Sequence, residues 1–344
     1  MKKIPYIFLF FAFLSGNVMS QDIHFSQTAQ TPLLVNPAIT GMYEGWERVI
    51  VNHRSQWLAS NTQFHTTAIA ADLNFFKTRQ NDKAHLGMGL ILWNDLAGDA
   101  NYGSRQAHLS FSGILPMGGG HIMSAGLQGG IGNRSGNMNA LVFESQWDGE
   151  IFNPELNSNE AATLNSNQYF DVSAGINYQF DGGNSTFARN EDIKIQIGAS
   201  VYHVNQPAIR YNGIENDMIY RKFVGHASFL KDFSGSKWSI DANAIGVFQG
   251  PQNQLLLGTM FRYRMSEGTK TTALRQEAYV AFGMYTRWGD AIIPAFMFDF
   301  KGFQLGISYD VTISKLRNTH SGGTIEFSLA YRNLYDALFK KGRY

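Results

Sequence analysis

The sequence predicts an all-β fold, a closed transmembrane antiparallel β-barrel of about fourteen strands. Three observations carry that expectation. Long stretches alternate strictly with period two. Each strand with its connection takes roughly 20 residues, enough for about 9 to 11 membrane-crossing residues, a rim and a turn. After residue 20, no segment approaches the roughly 18 consecutive apolar residues of a spanning helix. Between Phe303 and Ser314, for instance, Phe303, Leu305, Ile307, Tyr309, Val311 and Ile313 share one face, while Gln304, Gly306, Ser308, Asp310, Thr312 and Ser314 share the other. An apolar face suits lipid and a small or polar face suits a lumen. Soluble sandwiches have shorter strands, with turn signals every ~8 to 12 residues.

The elements follow in order. Residues 1–20 read as a secretory signal peptide: Lys2 and Lys3 precede an apolar run from Ile4 to Leu14, too short to cross about 30 Å of hydrocarbon, and then Ser15 to Ser20, with cleavage expected after Ser20. Residues 21–45 form an N-terminal periplasmic or plug segment, and Pro32 and Pro37 keep it from being helical throughout. Alternation then places strands near 46–58, 62–76, 84–97, 102–115, 121–133, 167–180, 193–203, 220–232, 237–248, 252–264, 274–287, 290–300, 302–314 and 323–332, so the barrel spans 46–332. A tail, 333–344, reads as a solvated basic end with Lys340, Lys341 and Arg343. Loop parity supports the register. The long polar stretches Arg134 to Ser166 and Val204 to Ile219 follow odd-numbered strands and fall outside, whereas Pro116 to Gly120 and Lys301-Gly302 make short periplasmic turns. Asp181 to Asp192 is the exception, long and on the inner side.

Composition excludes several functions. With Gly 35, Phe 26, Tyr 15 and 16% charged residues the chain is too aromatic for disorder, and Cys 0 removes disulfides, thiolate metal sites and cysteine nucleophiles. Losing Lys2 and Lys3 leaves 26 of 28 basic residues against 27 acidic ones, a net charge of −1 that offers nothing to nucleic-acid phosphates. The nine histidines show neither HExxH nor a metal-ligand pair, and no GxSxG elbow occurs. Gly126, Gly129, Gly130 and Gly132 fail the GxGxxG spacing and suit close packing or strand bending instead. No catalytic, cofactor or metal site is expected, and the reading is not that of an enzyme.

Strand parity gives the motif Asn52-His53-Arg54-Ser55-Gln56-Trp57 a geometry. Asn52, Arg54 and Gln56 share one face and Val49 and Val51 the other, so the polar three should face the lumen. An arginine in hydrocarbon would cost roughly 2–4 kcal/mol near the midplane. In a closed barrel the last strand pairs with the first, which sets Glu326 and Ser328 on the same wall, with Asp310 one strand further. Which acid pairs with Arg54 stays open. Asn52, Arg54, Gln56, Asp310 and Glu326 either simply pack a polar lumen, the plainer reading, or hold residues 21–45 as a plug.

The ordered set Gln21-Asp22-Ile23-His24-Phe25-Ser26-Gln27, Pro32-Leu33, Asn36-Pro37-Ala38, Gly41, Asn52 to Trp57, Leu305 to Asp310 and Glu326-Phe327-Ser328-Leu329 resembles the PorP/SprF family of the type IX secretion system in the Bacteroidota. The resemblance implies a multi-pass outer-membrane barrel that helps secrete a surface protein or hold it at the cell surface. That client is often a large adhesin, in some species one used for gliding motility. The implied partners are a secreted protein with a C-terminal type IX signal domain, other type IX components and outer-membrane lipid, with no cofactor. On that view Phe143, Trp147, Phe152, Tyr211 and Ile214, aromatic and apolar residues in the two long outer loops, are candidates for binding the client. They equally suit a cap on the barrel mouth or the interfacial girdle. The alternative function is a porin-like or solute-selective outer-membrane channel.

Overall fold

The computed structural model describes residues 22–57, 63–78, 82–98, 100–137, 141–153, 155–158, 166–182, 193–211, 214–266, 278–314 and 323–334. The leader, its cleavage site, residues 183–192 and the tail beyond Leu334 lie outside them. Among the described residues there are sixteen strands, of which fourteen close into one antiparallel barrel. They are β1 (Glu47–Gln56), β2 (Phe64–Phe75), β3 (His85–Ala97), β4 (Tyr102–Gly118), β5 (His121–Ser135), β6 (Asn167–Asp181), β7 (Ile193–Tyr202), β10 (Lys222–Asp232), β11 (Trp238–Gln249), β12 (Gln252–Ser266), β13 (Ala278–Arg287), β14 (Ala291–Phe300), β15 (Phe303–Thr312) and β16 (Thr324–Arg332). Neighbours in sequence are neighbours in the sheet, and β1 pairs with both β2 and β16. The remaining strands, β8 (Ala208–Tyr211) and β9 (Ile214–Met218), form a separate two-stranded sheet.

Alternation fixes the two surfaces. On β1, Val49 and Val51 are exposed, whereas Ile50, Asn52 and Arg54 are buried. On β4, Leu109 and Phe111 point out, and His108, Ser110 and Ser112 point in. The outward apolar side chains of every strand make a continuous surface far larger than a soluble monomer tolerates, and it is the lipid face of a membrane barrel. Among the described residues no helix is long and apolar enough to cross a membrane; the strands do the crossing. The end that carries the connections after β5 and β7 is the outer one, by the rule that long loops are extracellular and tight turns periplasmic.

The strand limits differ from the alternation pattern where the backbone breaks it. Trp57 and Phe76 adopt φ of 61° and 65°, so β1 stops at Gln56 and β2 at Phe75. The inner turn expected at Pro116 to Gly120 shrinks to Gly119-Gly120, because Pro116 still pairs with Ile122 and a bulge before Gly118 lets β4 continue. β5 extends to Ser135, so Arg134 belongs to a strand and gives its Nε–H to Ser104 Oγ at 3.1 Å. The stretch Val204 to Ile219 is a folded hairpin rather than an irregular loop.

Candidate functional site

Residues 22–46 lie inside the barrel, running from its outer mouth to its inner end. Their local structure comes from prolines. Pro32 opens the four-residue helix α1 (Pro32–Val35) and Pro37 opens a 3₁₀ turn, Pro37–Ile39, each at a position where a missing N–H costs nothing. Asn36 joins the two turns. Its Oδ1 accepts the Ala38 N–H at 2.9 Å, and its Nδ2 donates to the Ile176 carbonyl at 2.9 Å and lies 3.1 Å from His226 Nε2.

So short a pair of turns leaves most carbonyls unpaired, and the wall supplies the donors. Ser124 Oγ donates to Ala38 O and Ser200 Oγ to Val35 O, each at 2.7 Å, and Ser112 Oγ donates to Thr40 O. Asn52 Nδ2 donates to Gln30 O at 3.0 Å. The small polar residues of the inward face are thus hydrogen-bonding partners of the segment. Glycine supplies the clearance elsewhere: a Cβ on Gly126 would overlap the carbonyl of Pro37.

The most highly charged contact is at the β13–β15–β16–β1 wall. Glu326 is fully buried, and its two oxygens accept the consecutive backbone N–H groups of Ser26 and Gln27, each at 2.8 Å. Asp310 accepts Ser26 Oγ–H, pairs with Arg287 at 2.7 Å and lies 3.7 Å from Arg54. Arg54 also donates to the His24 carbonyl at 2.9 Å. Two guanidinium groups and two carboxylates therefore share one buried cluster, which balances charge where unpaired ions would be costly. Burial, reinforced by the charges of Arg54 and Arg287, draws His24 well below the usual imidazole range.

A second clasp sits at the outer end. Asp22 Oδ2 meets His203 Nε2 at 2.7 Å and Lys222 Nζ at 2.8 Å, while His203 Nδ1 contacts Asp171 at 2.9 Å. Burial opposes charge on His203, but the carboxylates of Asp22 and Asp171 outweigh it and lift the imidazole to about 9. Burial also opposes the Asp22 carboxylate, and Lys222 and His203 overcome it, holding Asp22 well below the ordinary value. At the inner end Asp72, held by Arg48 in a bidentate pair, accepts the Gly41 N–H, and Lys77 donates to the carbonyls of Tyr43 and Gly45.

Of the residues singled out from sequence, Asn52, Arg54, Asp310 and Glu326 meet at this segment, and Gln56 is half-buried at the end of β1. Phe143, Trp147 and Phe152 belong to one outer loop, where Trp147 and Phe152 bridge and are exposed. Tyr211 and Ile214 are paired in backbone register across the β8–β9 hairpin. Sequence reasoning missed Asp22, Arg287, His203 and Lys222. The parity of Arg287 on β13 was available as a signal, but the partners of Asp22 lie too far apart in sequence to be linked without the barrel order.

Solved structures similar to this chain include CdiB from Acinetobacter baumannii (9% identity, TM-score 0.42, covering 84% of this chain and 60% of that one), so the chain spans about 60% of its length. Two others are BamA from Haemophilus ducreyi lacking POTRA domains 1–3 (10%, 0.41, covering 84% and 70%) and the CymD monoaromatic hydrocarbon channel (10%, 0.47, covering 90% and 95%). No curated protein matches the sequence. Residues 17–331 match the family described as type IX secretion system membrane protein PorP/SprF. With a closed fourteen-stranded outer-membrane barrel in hand and a match that runs nearly from end to end, the chain belongs to the PorP/SprF family of type IX secretion membrane proteins.

Proposed function

We propose that this barrel is a plugged, non-enzymatic partner in type IX secretion. It binds a secreted surface protein through that protein's C-terminal signal domain and helps to secrete it or hold it at the cell surface, an adhesin used in gliding being one such client. The observation that carries this reading is the filling of the lumen by the chain's own residues 22–46, clamped at both mouths and at the Arg54–Asp310–Glu326 cluster. A porin-like or solute-selective channel needs an open lumen, whereas an anchoring partner can be plugged. Asn52, Arg54, Asp310 and Glu326 then hold the plug, and Gln56 completes the polar wall. The client surface is the outer rim, where Trp147 and Phe152 stand exposed among polar neighbours and Phe143, Tyr211 and Ile214 lie in the same two connections. Signal cleavage after Ser20 frees the segment that becomes the plug.

The test is purification of the tagged protein from outer membranes, with identification of what travels with it. A secreted protein bearing a type IX signal domain should co-purify, and deletion of residues 141–158 should leave the barrel inserted but release that protein into the medium. Unchanged surface retention would remove the loop from the site. Large steady conductance in planar bilayers with no co-purifying client would replace this reading with the channel.

A further inference from the structure

The inner segment does not fill the lumen evenly. It bonds or packs to wall residues on several sides, Ser200 and His226 included, and leaves two cavities that run chiefly along β7–β10–β11–β12. One, of about 70 Å³, opens at the outer mouth between the segment and Lys222, Val224, Val247, Gln249, Gln254 and Leu256. The other, about 280 Å³, opens toward the inner end among Gln196, His226, Ser228, Leu230, Asp241 and Asn243. The inward-facing residues of β10 and β11 read as a continuous line through both. Lys222, Val224, His226, Ser228 and Leu230 descend one strand, and Gln249, Val247, Ile245, Asn243 and Asp241 the other, with Val224 opposite Val247 and Ser228 opposite Asn243. Thr28, Val35 and Ile245 line both cavities. At that level Val35 of the segment packs in one buried apolar cluster with Val224, Ile245 and Leu256.

We propose that this wall is a second route through the barrel, a passage for water, ions and small polar solutes. Its gate is the apolar collar made by Val35 against Val224, Ile245 and Leu256. The inner half of the route is lined by hydrogen-bonding side chains and wets readily, and the collar is where water is excluded. An apolar constriction between wet vestibules blocks hydrated solutes without blocking the bore sterically, and a small displacement of one side opens it. The collar's two sides come from different elements: Val35 is carried by α1 of the segment, and the other three belong to the barrel wall. This route concerns small solutes and is independent of how a secreted client is held at the rim.

The chain has no cysteine, so single substitutions report access directly. In outer membranes of intact cells, Val247→Cys should react with a membrane-impermeant thiol reagent added outside, and Ser228→Cys, below the collar, should not. In the background of Val35→Gly with Ile245→Gly, Ser228→Cys should become reactive from outside, and the purified protein should gain steady conductance in planar bilayers that the unsubstituted protein lacks. Leu33→Ala is the control: Leu33 is as buried as the collar residues and sits on α1, but packs toward Ile91 and Trp93. If the double variant does not insert, Ile245→Ala read by Ser228→Cys labelling decides alone. Outside labelling of Ser228→Cys with the collar intact, no change on opening the collar, or an equal effect of Leu33→Ala would each overturn the proposal. Client retention is scored separately in the same cells, so failure of the gate and failure of the secretion reading are told apart.

Discussion

Arg54 and Glu326 stand directly opposite each other across the seam where β1 meets β16, yet they do not form a pair of their own. The guanidinium reaches one strand further to Asp310, and both oxygens of Glu326 are occupied by the amides of Ser26 and Gln27. Both oxygens of Glu326 thus serve the backbone of the segment, and the Arg54 guanidinium serves the next acid along the wall.

Replacing that carboxylate should release the segment locally. Hydrogen bonds to a charged acceptor contribute roughly 1.5–3 kcal/mol each, and stranding a buried partner costs more than the bond itself. Glu326→Ala is expected to destabilise the detergent-solubilised barrel by about 3 kcal/mol and Glu326→Gln by about half as much, since the amide keeps one acceptor. Thermal melts and limited proteolysis near Ser26 measure the two effects.

Arg54→Ala should also be costly, because it leaves the His24 carbonyl without that donor and Asp310 with one guanidinium, that of Arg287, in place of two. A loss of about 3 kcal/mol is expected from breaking a buried pair, against less than ~0.5 kcal/mol for Arg105→Ala on the exposed face of β4. Equal melting of the two variants would show that Arg54 is only a solvated wall residue.

The outer clasp predicts a pH dependence of one sign. His203 is raised above its ordinary value of 6.5 to about 9, so the stability it supplies is complete below 6.5 and is lost as pH rises through 9. Asp22 and Asp171 face it, Lys222 shares Asp22, and His108 lies nearby. Asp22 is depressed, so its share persists above the ordinary carboxylate value and fades only in acid. Proteolytic cleavage near Asp22 should therefore quicken between pH 8 and pH ~10. His203→Gln should show fast cleavage already at pH ~7 and lose that pH dependence.

Gly126→Val tests the fit between wall and segment. Its side chain would meet the Pro37 carbonyl, whereas Gly113→Val, on the lipid face, meets nothing within 4 Å. The first should raise protease access to residues 36–41 and lower the melting temperature; the second should do neither. Overpacking of this kind typically costs about 1–3 kcal/mol.

The barrel was legible because period-two alternation survives in most strands, and parity alone put Asn52, Arg54 and Glu326 on the inner wall. Closure put Glu326 on the wall beside Arg54, but the register that sets the two directly opposite was not legible in the sequence. What parity does not encode is reach: that Arg54 extends past Glu326 to Asp310 depends on where Ser26 and Gln27 lie, and nothing local in the sequence links residue 26 to residue 326. His203 was invisible for the same reason, since it follows β7 with φ of 56° and its partners come from β6 and the segment. The limits of β1 and β2 were missed because Trp57 and Phe76 take left-handed conformations that their residue types do not announce.

The grip of Glu326 on Ser26 joins residues 300 positions apart, and the holding groups belong to the last strands of the barrel. Loop-closure entropy makes such a contact late and slow when it forms alone. Here it coincides with the zipping of β16 onto β1, because the same residues that complete the seam complete the binding of the segment. Threading and sealing are then coupled: the seam strands meet their full set of partners only when the amino-terminal stretch lies inside the barrel.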